Sequence, residues 1–108
     1  MVMQPVEIAF SGVPRSDAIK AAVARFTTQL DRLCSEIVRC SVIVRFDNNR
    51  TDLGRPFVAH IVVATPDEEL ASDGNSEVDE YVALLSAFQE MTRTMKGRRR
   101  VQMIASRG

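Results

Sequence analysis

Residues 76–100 contain a long amphipathic pattern that any fold of this chain has to accommodate. Their apolar side chains recur at intervals of three, four and seven, which predicts one helix with an apolar face. That face comprises Val78, Tyr81, Val82, Leu85, Phe88 and Met95, with Leu84 and Met91 widening it. Ser76 is expected to cap the N-terminus and Gly97 to end the helix. So wide an apolar face must be buried, and the rest of the chain must supply the covering surface.

Charge is distributed unevenly around this segment, although the whole chain is balanced with 14 basic and 14 acidic residues. Seven acids fall within one short stretch: Asp67, Glu68, Glu69, Asp73, Glu77, Asp79 and Glu80. After Glu90 there is no acid, and six cations follow: Arg93, Lys96, Arg98, Arg99, Arg100 and Arg107. The helix dipole favours acids at the start and bases at the end. Three consecutive arginines exceed that requirement, so we expect a local positive patch.

Length and composition predict one folded domain. The chain has 108 residues, 45% of them hydrophobic and 26% charged, which suits a soluble protein with its own core. The longest uncharged run, residues 56–66, is much shorter than the roughly 20 residues of a membrane helix, and no secretory signal pattern is present. A cytoplasmic location is therefore expected. Cys34 and Cys40 are predicted to be reduced, because two cysteines are too few for a disulfide framework and their spacing is not that of metal ligands.

The first third of the chain predicts a strand followed by a helix. Residues 6–10 alternate, with Val6, Ile8 and Phe10 on one side. Ser16 follows a turn and is expected to cap a helix that extends to about Cys34. The apolar face of this helix comprises Ile19, Ala22, Val23, Phe26, Leu30 and Leu33.

Three further strands are predicted before the amphipathic segment. In residues 37–46 the inward positions are Val38, Cys40, Val42, Val44 and Phe46. A polar turn region covers residues 47–56, with turn formers at Asn48, Asn49, Gly54 and Pro56. Residues 57–64 form the next strand, whose inward positions are Ala59, Ile61 and Val63. A short fourth strand is expected around residues 69–72.

The predicted order is β-α-β-β-β-α, an α+β two-layer sandwich in which both helices cover one face of a four-stranded mixed sheet. We assign residues 1–100 to a single domain and residues 101–108 to a short C-terminal tail. The other sheet face is expected to expose Arg39, Ile43, Arg45, Val58, His60 and Val62. Its apolar members make it a candidate contact surface for a protein partner or a second copy.

Catalysis is not indicated by the sequence. His60 is the only histidine, so neither a histidine-based metal cluster nor a nucleophilic triad can be assembled, and a structural role is expected for it. The paired acids fall in turns or at a helix start, where solvent disfavours acid-base work. No glycine-rich nucleotide-binding motif is present. We predict a non-enzymatic protein with no catalytic residues, metal or cofactor.

Binding of structured RNA is the favoured chemistry. Arg25 and Arg32 lie seven residues apart and therefore share one flank of the first helix. With the basic end of the second helix they would follow RNA phosphates, where shape and backbone contacts dominate recognition. The aromatic residues fall on core-facing positions, so stacking on single-stranded bases is less favoured.

Several segments together resemble a known family. They are the opening strand followed by Ser11 and Gly12, the strand, turn and strand of residues 38–63 closing on Pro66, and the run Asp-Glu-Tyr-Val-Ala-Leu at residues 79–84 followed by Ala87 and Phe88. This combination resembles the short form of the ribosome hibernation-promoting factor family, also called ribosome-associated inhibitor or sigma-modulation proteins.

The resemblance implies a β-α-β-β-β-α domain similar to double-stranded RNA-binding domains. It implies a stress-responsive factor that binds the small ribosomal subunit in the channel for messenger and transfer RNA, inhibits translation and protects idle ribosomes. The implied contacts to ribosomal RNA are Arg25, Arg32, Arg93, Lys96, Arg98, Arg99 and Arg100. The expected partner is small-subunit ribosomal RNA, with no membrane and no cofactor.

Departures from the family pattern and the acidic stretch are expected to affect RNA binding. Met91, Thr92 and Thr94 occupy positions that the family usually fills with Lys or Arg, and residues 67–80 are acidic. Fewer phosphate contacts predict weaker RNA binding with a shallower salt dependence. The alternative interpretation is a divergent member that acts as a protein-interaction or dimerisation module through the exposed sheet face.

Overall fold

The computed structural model of the chain describes residues 6–34, 36–48 and 55–107, the last ten of these by their backbone only. The elements are β1 (Val6–Ser11), α1 (Asp17–Leu33), β2 (Arg39–Phe46), β3 (Phe57–Ala64), β4 (Glu69–Ser72) and α2 (Glu80–Arg107). The predicted β-α-β-β-β-α order and the α+β class are confirmed. Asn49 and Gly54 of the predicted turn region lie outside the described residues.

The four strands form one mixed sheet in the order β1-β2-β3-β4. β1 pairs in parallel with β2, placing Ile8 opposite Val42, because α1 carries the chain back to the starting edge between the two strands. β2 and β3 are antiparallel, with Val42 opposite Ile61, and so are β3 and β4, with Val63 opposite Leu70. The predicted mixed sheet is confirmed.

Both helices cover the same face of this sheet. Strand residues alternate between faces, and the covered face carries Cys40, Val42, Val44, Ala59, Ile61 and Val63, all buried. These side chains belong to one hydrophobic core with apolar residues of α1 and α2. The predicted two-layer arrangement is therefore present, and each helix has a second, outward side that does not face the sheet.

α1 begins and ends where the sequence indicates. The Ile19 N–H donates to Ser16 Oγ over 3.2 Å, which makes Ser16 the N-cap. At the other end the Cys34 N–H donates to the Leu30 carbonyl over 2.9 Å. The residues predicted for the apolar face are buried or half-buried, as expected for an amphipathic helix on a sheet.

The predicted start of α2 at Ser76 is wrong. The helix begins at Glu80, and Asp79 caps it by accepting from the Val82 N–H over 3.0 Å. Ser76 Oγ instead donates to the Asp47 carboxylate. Glu77 exchanges two backbone hydrogen bonds with Phe57, of 2.7 and 2.9 Å. These contacts with residues far away in sequence hold residues 76–77 extended and delay the helix.

The predicted apolar face of α2 is correct in its second half and wrong at its start. The buried side chains are Ala83, Leu84, Ala87, Phe88, Met91 and Met95. Val78, Tyr81 and Val82 were expected in the core, yet they are 66%, 41% and 41% exposed. Once Leu84 and Met91 face the sheet, helical geometry turns Val82 away from it, while Tyr81 lies at the edge of the buried side and Val78 precedes the helix.

The predicted end of α2 at Gly97 is also wrong, since the helix continues to Arg107. Glycine ends a helix by adopting a left-handed conformation, and among the described glycines only Gly12 and Gly74 have positive φ. The backbone of Gly97 is helical instead. Beyond Met95 the positions in line with the buried stripe are Arg98 and Gln102.

The uncovered face of the sheet differs from the prediction at Val58, which is buried with only 5% of its surface exposed. Ile43 is exposed on this face, and His60 and Val62 are half-buried. Val38, predicted to point inward with Cys40, precedes β2 and is exposed, while neighbouring Ile37 is buried. The alternation of β2 therefore begins only at Arg39.

Candidate nucleic-acid interface

One flank of α1 presents three polar side chains in a row. Arg25, Gln29 and Arg32 are spaced by four and three residues, so they lie on the same side of the helix. All three are exposed. The Arg25 guanidinium carbon lies 6.0 Å from the centre of the Phe26 ring, close to where α1 meets α2.

Aromatic rings join the two helices beside this flank. The Phe26 ring centre lies 5.1 Å from that of Phe88 and 6.0 Å from that of Tyr81, both in α2. Aromatic pairs at these separations add to the stability that burial provides. The contact fixes the polar flank of α1 next to α2.

A groove of about 430 Å³ runs between the helices, and we call it the interhelical groove. Its apolar lining consists of Phe26, Leu85 and Phe88. Its polar lining consists of Gln29, Gln89, Thr92, Arg93 and Lys96. Two of the predicted RNA-binding residues, Arg93 and Lys96, therefore line the groove from α2, across from Gln29 on α1.

The other predicted site residues lie on α1 or near the end of α2. Arg25 and Arg32 lie on the flank of α1 that also carries Gln29. Arg98, Arg99 and Arg100 belong to α2, directly after Gly97, and only their backbone is described. The structure thus places four described cations on the two helices, and the role of all seven stays a prediction.

The described acids contact groups other than these four cations. Glu69 Oε2 lies 3.6 Å from Arg39 Nη2, and Asp73 Oδ1 lies 2.5 Å from His60 Nδ1, both contacts on the sheet layer. Glu90 accepts from Ser72 Oγ over 3.4 Å on the β4 side of α2. Within residues 6–34, 36–48 and 55–97, no acidic side chain forms an ion pair with Arg25, Arg32, Arg93 or Lys96. Among the described residues, these four positive charges are therefore not neutralised by an ion pair.

Three polar groove residues were missed by sequence reasoning: Gln29, Gln89 and Thr92. Gln29 had a usable signal, because it lies between Arg25 and Arg32 at helical spacing. Thr92 had one through the resemblance, because the family usually fills its position with Lys or Arg. Gln89 had none, since its position depends on the true phase of α2. Amide and hydroxyl groups of this kind supply hydrogen bonds to phosphate and sugar oxygens.

Other chemistry is sparse in the described part of the chain. It contains no group of three or more His, Cys, Asp or Glu residues arranged to hold a metal ion. Cys34 and Cys40 are free thiols, and burial raises the pKa of the Cys40 thiol. None of the helices searched combines the length and the apolar character needed to cross a bilayer.

Comparison with solved structures identifies proteins of the same fold. A ribosomal subunit interface protein from Coxiella burnetii superposes with a TM-score of 0.73 and 13% identity, covering 87% of this chain and 96% of that one. The N-terminal domain of Thermus thermophilus Protein Y superposes with a TM-score of 0.70 and 19% identity, covering 87% and 97%. The fold is shared. No protein-family model matches the sequence, and a search of curated proteins gave no significant match.

Proposed function

We propose that this protein associates with the small ribosomal subunit and binds phosphates of its RNA through α1 and α2. The proposal rests on four exposed cations beside the interhelical groove that have no acidic partner among the described residues: Arg25, Arg32, Arg93 and Lys96. Proteins of similar fold include a ribosomal subunit interface protein and the N-terminal domain of Protein Y, which supports the choice of a ribosomal partner.

Physical chemistry favours folded RNA as the ligand of this surface. Cations on two adjacent helices can follow the phosphates on both sides of an RNA groove, where backbone contacts dominate. Arginine suits this role, because its planar guanidinium donates two parallel hydrogen bonds to one phosphate. Arg99 and Arg100, at helical spacing from Lys96 and Arg93, would extend the same basic surface along α2.

The proposed activity is non-enzymatic. A protein bound in the channel for messenger and transfer RNA excludes both, so translation stops and the idle subunit is protected. A cytoplasmic location follows from the proposed partner. Binding through phosphates requires neither a metal nor a cofactor.

Cosedimentation with purified small subunits over a range of salt concentrations tests the proposal. The wild-type protein should migrate with the subunits at low salt and be released as salt rises, because counterion release drives phosphate binding. The double substitution Arg93→Glu and Lys96→Glu should abolish comigration. Arg45→Glu is the matched control, since Arg45 is exposed in β2 on the opposite layer. Absence of comigration at every salt concentration, or equal loss in the control, would refute the proposal.

The exposed sheet face supports a second candidate function, a protein-interaction or dimerisation module. Ile43 is its large exposed apolar residue. Polar contacts surround it, including Ser41 Oγ donating to Glu7 Oε1 over 3.1 Å and the contact between His60 and Asp73. Under this alternative Ile43→Glu should abolish partner binding, whereas charge reversal of residues 98–100 should not.

A further inference from the structure

The first turns of α2 carry exposed apolar side chains that the core does not use. Val78, Tyr81 and Val82 are exposed, and Leu85 is half-buried. Spacings of three and four residues align Tyr81, Val82 and Leu85 along one side of the helix, and Val78 lies just before the N-cap Asp79. We call these four residues the α2 apolar patch. Single exposed apolar residues are common, but four neighbours in a row indicate a contact surface.

This patch is continuous with the interhelical groove. Leu85 belongs to the patch and also lines the groove, and the Tyr81 ring lies 6.0 Å from Phe26, another lining residue. Fifteen residues separate Tyr81 from Lys96 at the far end of the groove. At 1.5 Å per residue this surface is about 22 Å long. Its length suits an extended or helical segment of about four turns better than a small molecule.

Charge changes sign along the surface. Glu77 and Asp79 lie at the patch end, and Arg93 and Lys96 lie at the groove end. Carboxylates repel phosphate, and valine side chains offer it no hydrogen bonds, so the patch end is unsuitable for RNA. A protein segment with apolar residues in its middle and carboxylates at one end complements the whole surface.

We propose that the α2 apolar patch and the interhelical groove together bind an acidic amphipathic helix of a protein partner. Its apolar side chains cover Val82 and Leu85, and its carboxylates face Arg93 and Lys96. This is the helix-in-groove mode of recognition, in which anchors recur at helical spacing. The inference goes beyond the proposed RNA binding: the partner helix and RNA would compete for Arg93 and Lys96, whereas the apolar patch would contact the helix alone.

A 16-residue peptide provides the probe, with leucines along one face and glutamates in its last two turns. Titration into ¹⁵N-labelled protein should shift the amide resonances of residues 78–96 in α2. Val82→Glu should weaken binding at least tenfold, a factor that corresponds to about 1.4 kcal/mol. Replacing the peptide glutamates with glutamine should weaken binding by a similar factor. Ile43→Glu, an equivalent change on the sheet face, should have no effect.

Further measurements distinguish the proposed partner helix from other possible occupants of this surface. Val82→Glu should leave small-subunit cosedimentation intact, whereas loss of both activities would place RNA on the patch and overturn the inference. In sedimentation velocity, the protein alone should remain monomeric. Self-association that Val82→Glu removes would assign the patch to a second copy and overturn the inference. Failure of the peptide to bind, or amide shifts confined to the sheet face, would also overturn the inference.

Discussion

Gly74 fixes the distance between the segment after β4 and the backbone of α2. Its φ is +65°, and a Cβ atom at this position would lie 2.5 Å from Ala87 N and 2.7 Å from Ala87 Cα. Two hydrogen bonds hold the same junction, from Ser72 Oγ to the Ala87 carbonyl and from the Asn75 N–H to Ser86 Oγ. A side chain at residue 74 would have to displace helix backbone, which no rotamer change can avoid.

We therefore expect Gly74→Ala to lower the free energy of unfolding by about 3 kcal/mol or more, from overpacking added to backbone strain. Denaturant titration measures the loss. Gly12→Ala is the matched control, because Gly12 also has positive φ but has open space where its Cβ would be. The control should lose only about 1 kcal/mol. Equal losses in the two variants would mean that the contact with α2 contributes nothing.

Glu80 is expected to make stability depend on pH. Burial raises the pKa of the Glu80 carboxyl, and the neighbouring Asp79 raises it further. A raised pKa means that the folded state favours the protonated form, so this favourable contribution is present below the unfolded pKa of about 4.3 and is lost as pH rises. Glu80→Gln should therefore increase the melting temperature at pH 7 and give no increase near pH 3. Glu36→Gln, at an exposed position, should change neither value. A lower melting temperature of Glu80→Gln at pH 7 would contradict the prediction.

Among the elements, the two helices show what local sequence can predict. Ser16 and Ser76 both precede an acid and an apolar stripe, yet only Ser16 caps a helix. Ser76 instead donates to Asp47, 29 residues earlier in the chain, and its neighbour Glu77 pairs with Phe57. Local pattern predicts the existence of α2, whereas its start depends on partners that only the folded sheet brings near.

The phase of α2 was ambiguous for a related reason. Both sides of its first turns are apolar, so periodicity alone allowed Val78 and Val82 to be placed in the core. Sheet packing selects Ala83 and Leu84 instead. The residues left outside form the α2 apolar patch, so the error in the prediction coincides with the surface proposed for a protein partner.

Gly97 provides a test of where α2 ends. It lies inside the helix, and a Cβ atom there would meet nothing within 4 Å. Gly97→Ala should therefore increase the free energy of unfolding by about 0.5–1 kcal/mol, because alanine loses less conformational entropy in a helix. Denaturant titration with circular dichroism measures the change. A destabilised variant would indicate that the glycine adopts the left-handed conformation of a helix stop.

At the scale of the whole molecule, the alternation of strands and helices made the fold predictable. Part of the candidate interface was predictable too, since Arg25 and Arg32 share a flank by spacing alone. Its position beside α2 was not, because that depends on how Phe26 packs against Tyr81 and Phe88. Net charge did not indicate the basic surface, because 14 acids balance 14 bases. It does not reveal that described acids on the sheet layer contact other groups, as Glu69 contacts Arg39.

The salt dependence of RNA binding should show how many cations of the protein contact phosphate. Arg25→Gln and Arg93→Gln should each reduce the slope of log K against log salt by about one unit on small-subunit ribosomal RNA. The double variant should lose about two, because the residues lie on different helices. Filter binding over a salt series gives the slopes, with Arg45→Gln as the control that keeps the wild-type value. An unchanged slope for Arg25→Gln would remove α1 from the interface.

In the part of α2 beyond Met95, inserted residues can change two quantities separately: the direction of a residue around the helix axis and its distance along that axis. Arg107 lies twelve residues after Met95, so this part of the helix is about 18 Å long, and each residue is rotated about 100° around the axis from the one before. One alanine inserted after Gly97 would swing every later arginine about 100° around the axis and move it outward by only about 1.5 Å. Seven alanines would return those arginines to within about 20° of their original bearing and carry them about 10 Å further from the sheet.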